Sequence, residues 1–158
     1  MSKDLILFVC TGNTCRSPMA EYLLKQSIEK EPLLSGVTVA SAGVAAYPGD
    51  YASANTLSVL HQVGIDAKNH RSQRVNADLL HRSIGIFTMT QSHLEGVRLE
   101  SEQPLPLYLL HHFTENTKCQ EVPDPIGGSI QQYQQTRESI LVAIPFIINF
   151  IKNHYPSS

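Results

Sequence analysis

Leu5-Ile6-Leu7-Phe8-Val9 is an unbroken apolar run, and Cys10-Thr11-Gly12-Asn13-Thr14-Cys15-Arg16-Ser17-Pro18 follows it without a spacer. A strand with one wet face alternates apolar and polar residues. A strand apolar on both faces has to be covered on both, as in a parallel sheet packed between helices. Further strands are expected over residues 37–42, 84–89 and 106–110, and helices over 18–30, 51–63, 76–80, 92–100 and 130–153, with Gly64 as a helix stop after Val63. This alternation predicts an α/β fold: a small doubly wound parallel four-stranded sheet with helices on both faces. Ligands of such sheets bind beyond the carboxyl ends of the strands, where Cys10 stands. A length of 158 residues suits one domain spanning 1–158.

The segment behind the first strand carries the chemistry. A cysteine, five residues and an arginine form a loop able to surround a tetrahedral oxyanion and attack it. Gly12 and Asn13 tolerate the positive φ values that turn successive N–H groups toward one point, and Thr14 and Cys15 complete the loop. Ser17 followed by Pro18 reads as an N-cap and first helical residue, which aims the positive end of the next helix at the same point. Arg16 supplies a planar bidentate donor for two phosphoryl oxygens. These groups favour a thiolate, so Cys10 is expected to be a nucleophile of depressed pKa.

Far downstream, Pro123-Asp124-Pro125 presents a carboxylate on a stiff spur, as a general acid requires. A Walker loop is excluded because no Gly-Lys-Ser/Thr ending is present. A zinc site would need Cys119 with His111 or His112, and Arg16 would repel the cation. No metal and no cofactor are expected. His61, His81, His93, His111, His112 and His154 show no metal-ligand spacing and read as structural.

The stretch from Cys10 to Glu21, CTGNTCRSPMAE, resembles the signature loop of the low-molecular-weight protein tyrosine phosphatase family, and its Thr11 variant resembles the protein-arginine-phosphatase branch. The stretch from Val122 to Ile130 resembles the general-acid loop of that family, with Ser41-Ala42-Gly43 and Asn69-His70-Arg71-Ser72 falling between. The resemblance implies hydrolysis of phosphoarginine in proteins through a phosphocysteine, with Cys10 as nucleophile, Arg16 as phosphate clamp and Asp124 as general acid and base. Thr11, Gly12, Asn13, Thr14, Cys15, Ser17 and Tyr47 would bind substrate. Asn13, Ser17, Ser41 and His70 would form a buried network holding the loop open.

Tyrosine-specific relatives carry aromatic residues after the Asp-Pro pair, where this chain has Ile126-Gly127. Arginine-phosphatase relatives often have Phe there, so Ile126 departs from both patterns. Thr11 favours phosphoarginine, because its hydroxyl can bond the scissile centre and an isoleucine cannot. The alternatives are a phosphotyrosine or acid phosphatase, an arsenate reductase and a non-catalytic phosphate-binding module. Arsenate reduction passes oxidising equivalents through further cysteines, and only Cys119 lies outside the loop.

Composition sets the remaining expectations. A net charge of −2 from 12 basic and 14 acidic residues, without a basic cluster, argues against nucleic acid. The apolar stretch 140–151 is too short to span a membrane and reads as a core helix that Pro145 should kink or locally unwind. The first apolar run is too short for a signal-peptide core. Three cysteines without framework spacing suit a reducing cytoplasm, with Cys15 placed to trap an oxidised Cys10 and Cys119 incidental. The expected partners are phosphorylated proteins, and the expected state is a monomer or weak oligomer.

Overall fold

The computed structural model describes residues 3–115 and 120–155. Strand β1 (Leu5–Cys10) is buried along its whole length and pairs in parallel with β2 (Thr38–Gly43) on one side and β3 (Ser83–Thr88) on the other. A short β4 (Leu107–Leu109) extends the sheet to the order β2-β1-β3-β4, every pair parallel. The two faces of β1 serve two cores, because successive side chains of a strand point to opposite sides. Ile6, Phe8 and Cys10 face the larger core, built with Met19, Leu23 and Leu24 of α1 (Arg16–Ile28) and Ile140, Ile144, Ile147 and Ile151 of α5 (Ile130–His154). Leu5, Leu7 and Val9 face the smaller one, with Leu79 and Leu80 of α3 (Ala77–Arg82) and Val97 of α4 (Gln91–Arg98). Cys10 therefore emerges on the α1–α5 side.

Side-chain caps set most helix starts. Ser53 accepts from Thr56 N and starts α2 (Ala54–His61) later than residue 51, because the cap sits at 53. Asn76, Thr90 and Ser129 cap α3, α4 and α5, the last in a capping box with Gln132. Helix α1 is the exception and corrects the sequence reading: it begins at Arg16 with Cys15 at the N-cap position and no side-chain cap. Ser17 lies inside the first turn, where its hydroxyl serves Cys10 instead of the helix. The local unwinding expected at Pro145 does not occur, since α5 runs without interruption from Ile130 to His154. Pro145 is on the exposed face, where solvent can serve the carbonyl that its ring leaves unbonded, while Ile144, Ile147, Ile148 and Ile151 hold the helix to the core. Among the described residues, no helix is long and apolar enough to cross a membrane.

Candidate active site

Residues 11–15 carry the chain from the end of β1 to the start of α1. Four carbonyls of this junction are drawn outward. Val44 N donates to Cys10 O and Ala45 N to Thr11 O, each at 3.0 Å. Ser53 N donates to Thr14 O at 3.0 Å, and His70 Nε2 to Asn13 O at 2.8 Å. Outward carbonyls are what a nest of inward N–H groups requires. Asn13 takes the left-handed conformation with φ of 59°, as its residue type suggested. Gly12 does not, and a Cβ built there would meet only Thr14 Oγ1 at 3.9 Å, so its expected positive φ is corrected.

Asn13 organises what lies beneath. Its Oδ1 accepts from Gln73 N at 2.9 Å, which leaves both amide protons for Ser17 Oγ and Ser41 Oγ, each at 2.8 Å. Ser41 Oγ donates to Glu21 Oε1 at 2.6 Å. Ser17, already accepting from Asn13, has its own proton left for Cys10 Sγ at 2.8 Å. The structure thus brings Asn13, Ser17, Ser41 and His70 into one buried network, with Glu21 as an additional anchor.

Burial pushes the Cys10 thiol up. The Ser17 hydroxyl, the backbone N–H of Ser17, the Arg16 guanidinium and the backbone N–H of Asn13 pull the other way without reversing it. The expected depressed pKa is corrected accordingly. The donors are present as expected, but a residue 3 % exposed carries a desolvation cost that the sequence does not display.

Arg16 is 4 % exposed and fixed at both ends of its fork. Nη1 donates to Val122 O at 3.0 Å, while Nη2 lies 3.5 Å from both Thr11 Oγ1 and Asp124 Oδ2. Val122 N in turn bonds Met89 O, next to the end of β3, and this pins the acid loop beside the end of β1. Asp124 Oδ1 accepts from Ile126 N at 3.0 Å, which turns the carboxylate toward the loop of Cys10. Cys10, Thr11, Arg16 and Asp124 therefore form one contiguous group.

Other expected residues stand further out. Cys15 is buried with its sulfur 3.4 Å from both Ser53 Oγ and Tyr133 Oη. Tyr47 is 78 % exposed on the loop between β2 and α2, its carbonyl held by Ser72 Oγ. Cys119 lies outside the described residues.

Two further residues have roles at the site that the sequence reading did not assign. At Gly43, a Cβ would run into the Thr11 carbonyl oxygen and reach Ala46 Cβ at 2.9 Å, so the end of β2 lets the loop pass close only because it lacks a side chain. His93, read as structural, places Nε2 2.7 Å from Thr11 Oγ1. Its position three residues after the cap at Thr90, just past the carboxyl end of β3, was the available signal.

The profile of the family described as low molecular weight phosphotyrosine protein phosphatase matches residues 5–154. The chain is 38% identical over 136 residues to a protein-arginine-phosphatase of Bacillus subtilis, covering 85% of this chain and 88% of that protein. It is 36% identical over 135 residues to the low molecular weight protein-tyrosine-phosphatase PtpB of Staphylococcus epidermidis, covering 85% and 90%. Among solved structures, the arginine phosphatase YwlE, in a mutant whose active-site serine replaces a cysteine and is phosphorylated, superposes with a TM-score of 0.82 at 33% identity. That superposition covers 96% of this chain and 97% of the other.

Proposed function

The chain belongs to the low molecular weight phosphotyrosine protein phosphatase family and is a protein phosphatase; from that premise we propose that it removes phosphate from phosphoarginine in proteins through a phosphocysteine at residue 10. The observation that carries the substrate assignment is the Thr11 hydroxyl, which stands at the loop rim between Arg16 Nη2 and His93 Nε2. A polar group fixed there suits a phosphoryl group bound to a polar guanidine. The 38% identical relative is named for the same activity. The phosphorylated serine of the YwlE mutant supports a phosphoenzyme on the residue that replaces the cysteine.

In this reading the phosphoryl oxygens sit in the N–H nest of residues 11–17 and on Arg16, which Val122 O holds in place. The Cys10 thiol passes its proton to an oxygen of the entering phosphoryl group, and the resulting thiolate, accepting a hydrogen bond from Ser17 Oγ at 2.8 Å, attacks phosphorus. The P–N bond breaks as Asp124 gives its proton to the departing guanidine nitrogen. Asp124, now a carboxylate, takes a proton from water as the water oxygen attacks phosphorus. The S–P bond breaks, returning the thiolate and releasing inorganic phosphate. Arg16, 3.5 Å from Asp124 Oδ2, stabilises the carboxylate in the second step.

Phosphotyrosine is the second reading, favoured by the 36% identical PtpB and by the exposed side chains of Tyr47 and Ile126, which are free to meet an aryl group. Thr11→Ile separates the two. A hydrogen bond to a charged group is worth about 1.5 to 3 kcal/mol, so the substitution should lower kcat/KM on phosphoarginine by about one to two decades and spare phosphotyrosine. A parent enzyme that prefers phosphotyrosine, or equal losses on both substrates, would overturn the arginine assignment.

A further inference from the structure

The phosphoryl transfer above leaves Arg71 without a task, yet its guanidinium is fixed from two sides. One face lies over the Tyr51 ring, with Cζ 3.7 Å from the ring centroid. At its edge, Nη1 donates to Lys68 O at 3.1 Å and to His70 O at 2.8 Å. Among the described residues, neither Nε nor Nη2 has a hydrogen-bond partner, and no carboxylate is within ion-pair reach of the group. In a planar guanidinium the Nε–H and one Nη2–H point the same way. What Arg71 leaves open is therefore the side-on fork that matches the two oxygens of a carboxylate.

Both members of this pair are tied to the wall of the nest. His70, next to Arg71, bonds Asn13 O at 2.8 Å, and Ser53, two residues after Tyr51, bonds Thr14 O at 3.0 Å. Gly49 N donates to Ser72 O at 2.9 Å and Ser72 N to Asp50 O at 2.7 Å, which fastens the two segments to each other. Tyr51 is nonetheless 62 % exposed, and Arg71 is exposed too. The open fork thus stands at the surface on the Asn13–Thr14 flank of the Cys10 loop. An arginine already held by a ring and two carbonyls loses less rotamer freedom on meeting an anion than one that moves freely.

We propose that Arg71, laid on Tyr51, is a second anion site that takes the side-chain carboxylate of an Asp or Glu flanking the phosphorylated residue of the protein substrate. A peptide segment whose phosphoryl group sits above Cys10 has to cross the surface around the loop, and Arg71 offers a fixed positive fork there. The inference rests on the reading that the Cys10 loop receives the phosphoryl group. It is independent of whether arginine or tyrosine bears that group.

Two measurements test it. The first uses pairs of phosphopeptides that differ only in a Glu or a Gln, placed in turn at each of the two positions on either side of the phosphorylated residue, with both phosphoarginine and phosphotyrosine sets. At one or more positions the parent's kcat/KM should favour the Glu peptide about fivefold at low salt, and Arg71→Gln should bring that ratio to one. A parent indifferent to the charge at every position overturns the proposal, as does an Arg71→Gln protein that loses both members of a pair equally and keeps the ratio. The second leaves Arg71 unaltered: in the Cys10→Ala protein, which binds without attacking, the Arg71 Nε–H resonance should shift when the preferred Glu peptide is added and stay in place with its Gln twin. A shift with both would put the phosphoryl group itself on Arg71, and a shift with neither would leave the fork empty; either result overturns the assignment. A parent that hydrolyses only the phosphotyrosine set removes the arginine reading alone, and the charge ratio is then read on that set.

Discussion

Ser17 shows how one proton is allotted by its neighbours. Asn13 donates into Ser17 Oγ, so the hydroxyl has only Cys10 Sγ to serve, at 2.8 Å. Ser17→Ala should push the thiol further up, because the thiolate loses a hydrogen-bond donor that opposes the effect of burial. The pH dependence of iodoacetamide alkylation at Cys10 reads this directly, and a midpoint unmoved by the substitution would contradict the assigned direction of the bond. Cys10, Arg16 and Asp124 stood out in the sequence as candidates because a fixed covalent spacing, or two flanking prolines, marks them. His93 did not, since its partner Thr11 lies 82 residues away and its place after the Thr90 cap points to the ligand end of the sheet without naming a partner. The burial that raises the Cys10 thiol is a tertiary property, so the donors could be read from the loop but not the balance between them.

Among the elements, the end of β2 matters as much to the loop as β1 does. Gly43 pairs with Cys10 in the sheet register, and its missing side chain leaves room for the Thr11 carbonyl. Gly43→Ala should force loop and strand apart, costing about 1 to 3 kcal/mol in denaturant unfolding and lowering turnover with it. Gly12→Ala meets no atom nearer than 3.9 Å and should stay within about 0.5 kcal/mol of the parent's stability; equal effects of the two substitutions would contradict the packing argument. The element pattern itself was largely readable, because apolar runs and capping residues are local signals. The start of α1 was misplaced because Ser17 has the composition of a cap and the geometry of a ligand to Cys10. The local unwinding expected at Pro145 did not occur, and the surrounding isoleucines hold α5 to the core.

At the scale of the molecule, two histidines make stability depend on pH. Burial holds His93 at about 4, and burial also lowers His111, whose ring bonds Thr114 and Ser139. Below the ordinary value near 6.5 the unfolded chain takes up protons that the folded chain refuses, so stability is full above that pH and is lost as pH falls toward 4. The urea midpoint should be lower at pH 5 than at pH 7.5, and equal midpoints would contradict neutral burial of these rings. The doubly wound architecture was legible because the alternation of helices with strands apolar on both faces admits few other layer arrangements. The meeting of the Cys10 loop with the acid loop became visible only in three dimensions, where Arg16 spans Val122 and Asp124. The claim that phosphate passes through Cys10 is tested most directly by mass spectrometry of the Cys10→Ser protein after incubation with phosphoarginine. The account predicts one phosphoryl group retained at residue 10 and no turnover; phosphate release at near the parent rate, or a phosphoryl group on another residue, would contradict it.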